Sequence, residues 1–261
     1  TRCENGSWDC DSTMTSNKSQ QALSDALWDQ MQQAVNDHAW SEAEGLLWRI
    51  LQLVPQASCT ICDTLGYTLL MQGDYKTCEH VLRPWSESPE RTFWLNHKLA
   101  DALRGQSQYE EAAKFYQRSL LEGSTSSLTY RNLLQVLYEL SPNAAIKQLN
   151  HWANTPQPNQ TAWQGARDAA VLVPGLELAQ WLWEQQHDDG ACRRRLLEEH
   201  CYTLSPNECW RILQQINQPT AWEQGLNEKL HQWKLIPAQA AKNAPASDEL
   251  HQSPAAATSV H

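Results

Sequence analysis

The sequence is poor in the residues that build sheets and in those that hold nucleic acid. Phe occurs only twice, and Val and Ile are sparse beside Leu, Ala and Gln, a balance that favours helix over strand. Basic side chains number 20 against 30 acidic ones, a formal charge of −10 over 261 residues. Neutralising phosphates takes clustered Lys and Arg, so this balance argues against a nucleic-acid partner. No apolar run reaches membrane length, because Gln, Asp, Glu or Arg interrupts each one within a few residues, and no membrane insertion is expected. The ten glycines never form GxGxxG or a phosphate-binding loop, and neither HExxH nor GxSxG occurs. With no such signature, neither a catalytic activity nor a cofactor is expected.

What is present is 41% hydrophobic residues, enough for a core, with 13 Trp supplying bulk in place of Phe and eight Cys. Six of these cysteines (Cys59, Cys62, Cys78, Cys192, Cys201 and Cys209) fall inside helical patterns, and no stretch before them reads as a secretory signal. A reduced, cytoplasmic setting is the expectation.

A fixed period runs through the chain. Ala39-Trp40-Ser41-Glu42-Ala43, Gly73-Asp74-Tyr75-Lys76-Thr77-Cys78 and Ser107-Gln108-Tyr109-Glu110-Glu111-Ala112 each place an aromatic residue three positions before a small one. The small residue recurs at Ala43, Cys78, Ala112, Ala145 and Ala179, in steps of 35, 34, 33 and 34. A shortened copy follows: the run from Leu137 to Asn143 reappears from Cys201 to Asn207, which puts Cys209 in the slot of Ala145. Within each unit, apolar residues lie three and four apart, as in Leu95, Leu99, Ala102 and Leu103, then Ala112, Phe115, Tyr116 and Leu120. One helical pair would leave an apolar face wet, so neighbours must stack.

At these residues the chain resembles the tetratricopeptide repeat, a 34-residue helix–turn–helix unit. Leu65-Gly66, Gly73-Asp74-Tyr75, Cys78 and Leu82 carry the likeness best, followed by Tyr109, Ala112, Tyr116 and Leu120. It covers roughly residues 24–216. The resemblance implies an all-α, right-handed α-solenoid of about five to six helix pairs. The expected layout is a disordered segment over 1–22, repeats over 23–217, a capping helix over 218–236 and a disordered Ala/Pro-rich tail over 237–261. Met14 offers a second place for the native chain to start.

Cys59-Thr60-Ile61-Cys62, with Cys78 and His80, supplies four thiolate or imidazole groups of the kinds that ligate zinc. Cys62 and Cys78 nevertheless occupy slots that hold packing residues, so no metal is expected there. Arg193-Arg194-Arg195 lies between Asp188-Asp189 and Glu198-Glu199, and reads as a solvated helix face.

In the family the first helix of each unit lines the concave face. By position this implies a groove of Trp28, Gln32, Tyr67, Trp94, His97, Asp101, Arg104, Arg131, Gln135, Tyr138, Gln164, Asp168, Arg195, Glu199 and Tyr202. Aromatic rings with Arg and Gln suit a peptide or protein ligand. Trp28 and Gln32 stand where the family's chaperone-tail clamp has Lys and Asn, which argues against that ligand. Two functions follow from the resemblance: a non-catalytic interaction scaffold, as in bacterial tetratricopeptide proteins, or the substrate-presenting arm of a larger glycosyltransferase of the O-linked N-acetylglucosamine transferase type. An assembly factor for a multiprotein complex would use the same groove.

Overall fold

The computed structural model describes residues 10–54, 56, 58–155, 159–201 and 206–232, with side chains from Ala22 onward. Every regular element among them is helical. In chain order these are α1 (Cys10–Asn36), α2 (Trp40–Leu53), α3 (Cys59–Gln72), α4 (Tyr75–Leu82), α5 (Phe93–Gly105), α6 (Tyr109–Leu121) and α7 (Ser127–Leu140). Then come α8 (Pro142–Ala153), α9 (Gln160–Leu172), α10 (Glu177–Glu184), α11 (Gly190–Glu199), α12 (Pro206–Gln215) and α13 (Ala221–Gln232). A single 3-10 turn, Arg83–Trp85, follows α4. The all-α expectation holds for these residues, and none of their helices is long and apolar enough to cross a membrane.

Local sequence sets the helix ends. Ser58, Asp74, Thr92, Ser126, Ser141 and Asn159 each accept a backbone N–H with the side chain and so open α3, α4, α5, α7, α8 and α9. The hairpins α1/α2, α3/α4 and α5/α6 close with one and the same turn. His38, Gly73 and Ser107 take left-handed backbone, with φ of 58°, 76° and 60°. The following N–H groups, of Ala39, Asp74 and Gln108, donate to the carbonyls of Ala34, Leu69 and Leu103 at 2.8, 3.0 and 2.9 Å. Those acceptors lie 35 and 34 positions apart, in step with the series of small residues.

The chain divides into two compact units, Thr1–Arg193 and Arg194–His261. The repeat region expected over 23–217 crosses this division. In the first unit each helix from α1 to α7 packs on the next, α8 and α9 each pack on α10, and alternate helices also touch, as in α3 with α5, α5 with α7 and α7 with α9. The small-residue slots lie at the centre of this packing: Ala43, Cys78, Ala112, Ala145 and Ala179 are buried, as is Cys209 in the second unit.

In that second unit α12 packs on α13, which falls inside the expected capping segment. Its start is a capping box. The Thr220 N–H donates to Glu223 Oε2 at 2.6 Å, while the Glu223 N–H donates to Thr220 Oγ1 at 3.3 Å.

Helix α1 begins at Cys10 and so takes in residues 10–22 of the segment expected over 1–22. Burial of Leu27, Met31 and Ala34 fixes the helix, and each further residue then adds a backbone hydrogen bond without a new nucleus. The tail expected over 237–261 lies outside the described residues.

Candidate functional site

Helix α5 places Trp94, His97, Asp101 and Arg104 three and four apart, on one face. Their depths differ. Trp94 is 39% exposed, and its ring meets His97 edge-on at 5.3 Å, while His97 is only 6% exposed.

Asp101 is the hub beneath them. It accepts from the Tyr116 hydroxyl on α6, from Asn132 Nδ2 on α7 at 3.0 Å and from His97 Nε2 at 3.2 Å, with Arg104 Nη2 at 3.5 Å. Burial by itself would raise this carboxyl. The hydrogen bond and charge of His97, the Tyr116 hydroxyl and the Arg104 charge outweigh it and hold Asp101 below the usual carboxylate range. Burial, together with the Asp101 charge, pushes the Tyr116 hydroxyl well above its ordinary value. His97 Nδ1 is 2.9 Å from Thr129 Oγ1, itself 3.0 Å from Ser124 Oγ.

A serine, a histidine and an aspartate in one chain of hydrogen bonds invite a catalytic reading, but the geometry gives them another role. Both His97 nitrogens are engaged inside the protein, Ser124 is 3% exposed, and Thr129 stands between Ser124 and His97. No nitrogen is left to take a proton from a substrate. The chain instead locks α5 to α7 and fixes the floor under Trp94.

Other side chains extend the surface at one-repeat spacing. Arg104 Nη1 donates to Gln135 Oε1 at 3.2 Å, and Arg131 Nε donates to Asn132 Oδ1 at 3.1 Å. Lys98 joins α5 to α3, bonding Asp63 Oδ2 at 2.6 Å with its ammonium 5.8 Å from the Tyr67 ring centre. Tyr67, half open to solvent, also meets Trp40 edge-on at 5.7 Å.

The structure thus brings Trp94, His97, Asp101, Arg104 and Gln135 together, with Arg131 attached through Asn132 and Tyr67 through Lys98. The other expected residues of the first unit have surroundings of their own. Trp28 is half-buried against the core at α1 and Gln32 is exposed. Tyr138 donates to Glu177 Oε2 at 2.6 Å. Gln164 and Asp168 bond each other on α9 at 2.9 Å. Arg195 and Glu199 belong to the second unit, and Tyr202 lies outside the described residues.

The cysteines of the zinc reading lie in the packed interior. Cys59, Cys62 and Cys78 are buried, His80 is exposed, and the Cys78 thiol donates to the Gly66 carbonyl at 3.3 Å. Burial raises the Cys59 and Cys62 thiols and pushes Cys78 up to about 12. No group of three or more His, Cys, Asp or Glu able to hold a metal ion occurs among the described residues. Arg193 and Arg194 pair with Asp188 and Glu198 at 2.9 and 2.8 Å.

A cavity escapes the sequence pattern. It measures about 570 Å³ and opens where α6 and α8 end and α7 and α9 begin, walled by Leu120, Leu121, Tyr130, Leu133, Trp152 and Trp163. Tyr130 and Trp152 meet edge-on there at 5.3 Å, and Asn159 Nδ2 donates to the Tyr130 hydroxyl at 2.7 Å. Leu121, 88% exposed at its rim, breaks the apolar-inside rule of α6 and is the one hint the sequence offers.

No protein-family model matches the chain, and no curated protein matches it in sequence.

Proposed function

We propose that the chain is a non-catalytic interaction scaffold: a right-handed α-solenoid of tetratricopeptide-like helix pairs whose first helices offer a concave face to a peptide or protein segment. The repeated left-handed turns, the buried small-residue slots and the contacts between alternate helices support the stacked architecture. One observation carries the binding reading. Trp94 stands in solvent on a floor of His97 and Asp101 whose rotamers are fixed by Thr129, Tyr116 and Asn132, beside the donors Arg104 and Gln135. An exposed, preorganised aromatic flanked by guanidinium donors binds an extended segment at small entropic cost.

The test is selection of a displayed random-peptide library against the folded chain, followed by titration of the enriched peptides. Changing Trp94, Arg104 and Arg131 together to Ala should weaken the selected peptides at least about tenfold, the scale of one lost hot spot. Undiminished binding by this variant, with helicity intact, would move the site off the first-helix face.

A further inference from the structure

The second unit holds a pair of thiols that neither the fold nor the proposed groove uses. Cys201 follows the end of α11 and is half-buried, whereas Cys209 lies in the middle of α12 and is fully buried. Their sulfurs are 3.0 Å apart. A disulfide bond measures about 2.05 Å, so an approach of roughly 1 Å separates the dithiol from the bonded form.

Packing does not account for this sulfur pair. Cys209 occupies the slot filled by Ala43, Ala112, Ala145 and Ala179 in four units and by Cys78 in another, all buried, so a methyl group is enough for the helices to meet at that slot. The remaining buried cysteines of known partner behave differently. Cys78 and Cys192 turn their sulfurs to the backbone carbonyls of Gly66 and Arg167, at 3.3 and 3.6 Å, and face no second thiol there.

We infer that Cys201 and Cys209 form a redox site, closing to an intramolecular disulfide that ties α12 to the end of α11. With a small-molecule disulfide such as oxidised glutathione, the half-buried Cys201 thiolate attacks one sulfur of the reagent and expels one thiolate. Cys209, after losing its proton, then attacks the Cys201 sulfur of the mixed disulfide and expels the second. Two protein thiols are oxidised, one reagent disulfide is reduced to two thiols, and the two protons pass to the departing thiolates. Burial and the neighbouring Cys201 raise the Cys209 thiol, which suits it to the second, intramolecular step and not to first attack on a reagent.

The experiment uses the full chain, reduced, freed of reductant, incubated with oxidised glutathione and quenched with an alkylating reagent before peptide mapping. The expected product has lost two hydrogen atoms in mass, yields a linked Cys201–Cys209 peptide and needs more urea to unfold than the reduced chain. Cys209→Ala, which places the residue of the equivalent slots at this position, should keep its helicity. It should stop at the first step, with one glutathione retained on Cys201. Free, alkylated thiols at both positions after oxidation would overturn the inference. So would glutathione retained on Cys201 in the wild-type chain to the same extent as in Cys209→Ala.

Discussion

Leu82 occupies the space that a side chain at Gly66 would need: a Cβ built there falls 2.6 Å from Leu82 Cδ2. Leu82 is fully buried, and the Cys78 thiol bonds the Gly66 carbonyl from the same helix, so α4 sits directly on the α3 backbone. Gly66→Ala should cost about 1–3 kcal/mol, because Leu82 has no free volume to retreat into. Urea unfolding measures it; an unchanged midpoint would mean that α3 and α4 separate at little cost.

Ser107 makes the α5/α6 turn in left-handed backbone at φ 60°, where a Cβ is disfavoured. The matching position of the α3/α4 hairpin is Gly73. Ser107→Gly should therefore stabilise the chain by about 0.5–1 kcal/mol, the relief of strain less the added unfolded-state entropy. Ser107→Val should destabilise it. Thermal unfolding of both variants gives the comparison, and a lower Tm for the glycine variant would contradict the shared-turn reading.

The depressed Asp101 carboxyl makes stability depend on pH with a defined sign. Its pKa is lower folded than unfolded, so the stabilisation is complete above about pH 4 and drains away as pH falls through the folded value. Asp101→Asn removes the charge and leaves donors of His97, Arg104 and Tyr116 facing an amide. The expected loss at neutral pH is about 2–4 kcal/mol. The variant should also show a shallower decline below pH 4; parallel acid curves for both proteins would exclude Asp101 as the source.

His187 lies flat on Trp163, centroid to centroid 3.9 Å, and burial, with the Arg167 charge, lowers its pKa from 6.5. The folded state thus binds this proton less well than the unfolded state. Stability from this residue is full above about pH 6.5 and falls as pH drops through the folded value. His187→Gln should flatten the dependence of the urea midpoint on pH between about 7 and 5. A slope equal to that of the wild-type chain would assign the titration to another histidine.

Much of the local structure was legible before any coordinates. The small residues at 43, 78, 112, 145 and 179 stood out by their period, and all are buried. Helical period and side-chain volume are properties of a few neighbouring residues, so one sequence carries them. The helix over residues 10–22 was not legible, because its polar side chains lack a pattern and its support comes from Leu27, Met31 and Ala34 further along α1.

The site was legible as a helix face but not in depth. Trp94 and His97 share that face, yet one stands in solvent while Thr129 of α7 and Asp101 of α5 enclose the other. The cavity beside Trp152 likewise exists only where four helix ends converge, and the Cys201–Cys209 contact only where Cys209 of α12 meets the residue that follows α11. By itself the sequence determined which segments become helices, where they turn and which positions must be small. Packing between helices decided which polar residues are buried, which aromatics stay open and which thiols meet, since each of these depends on what another helix places opposite.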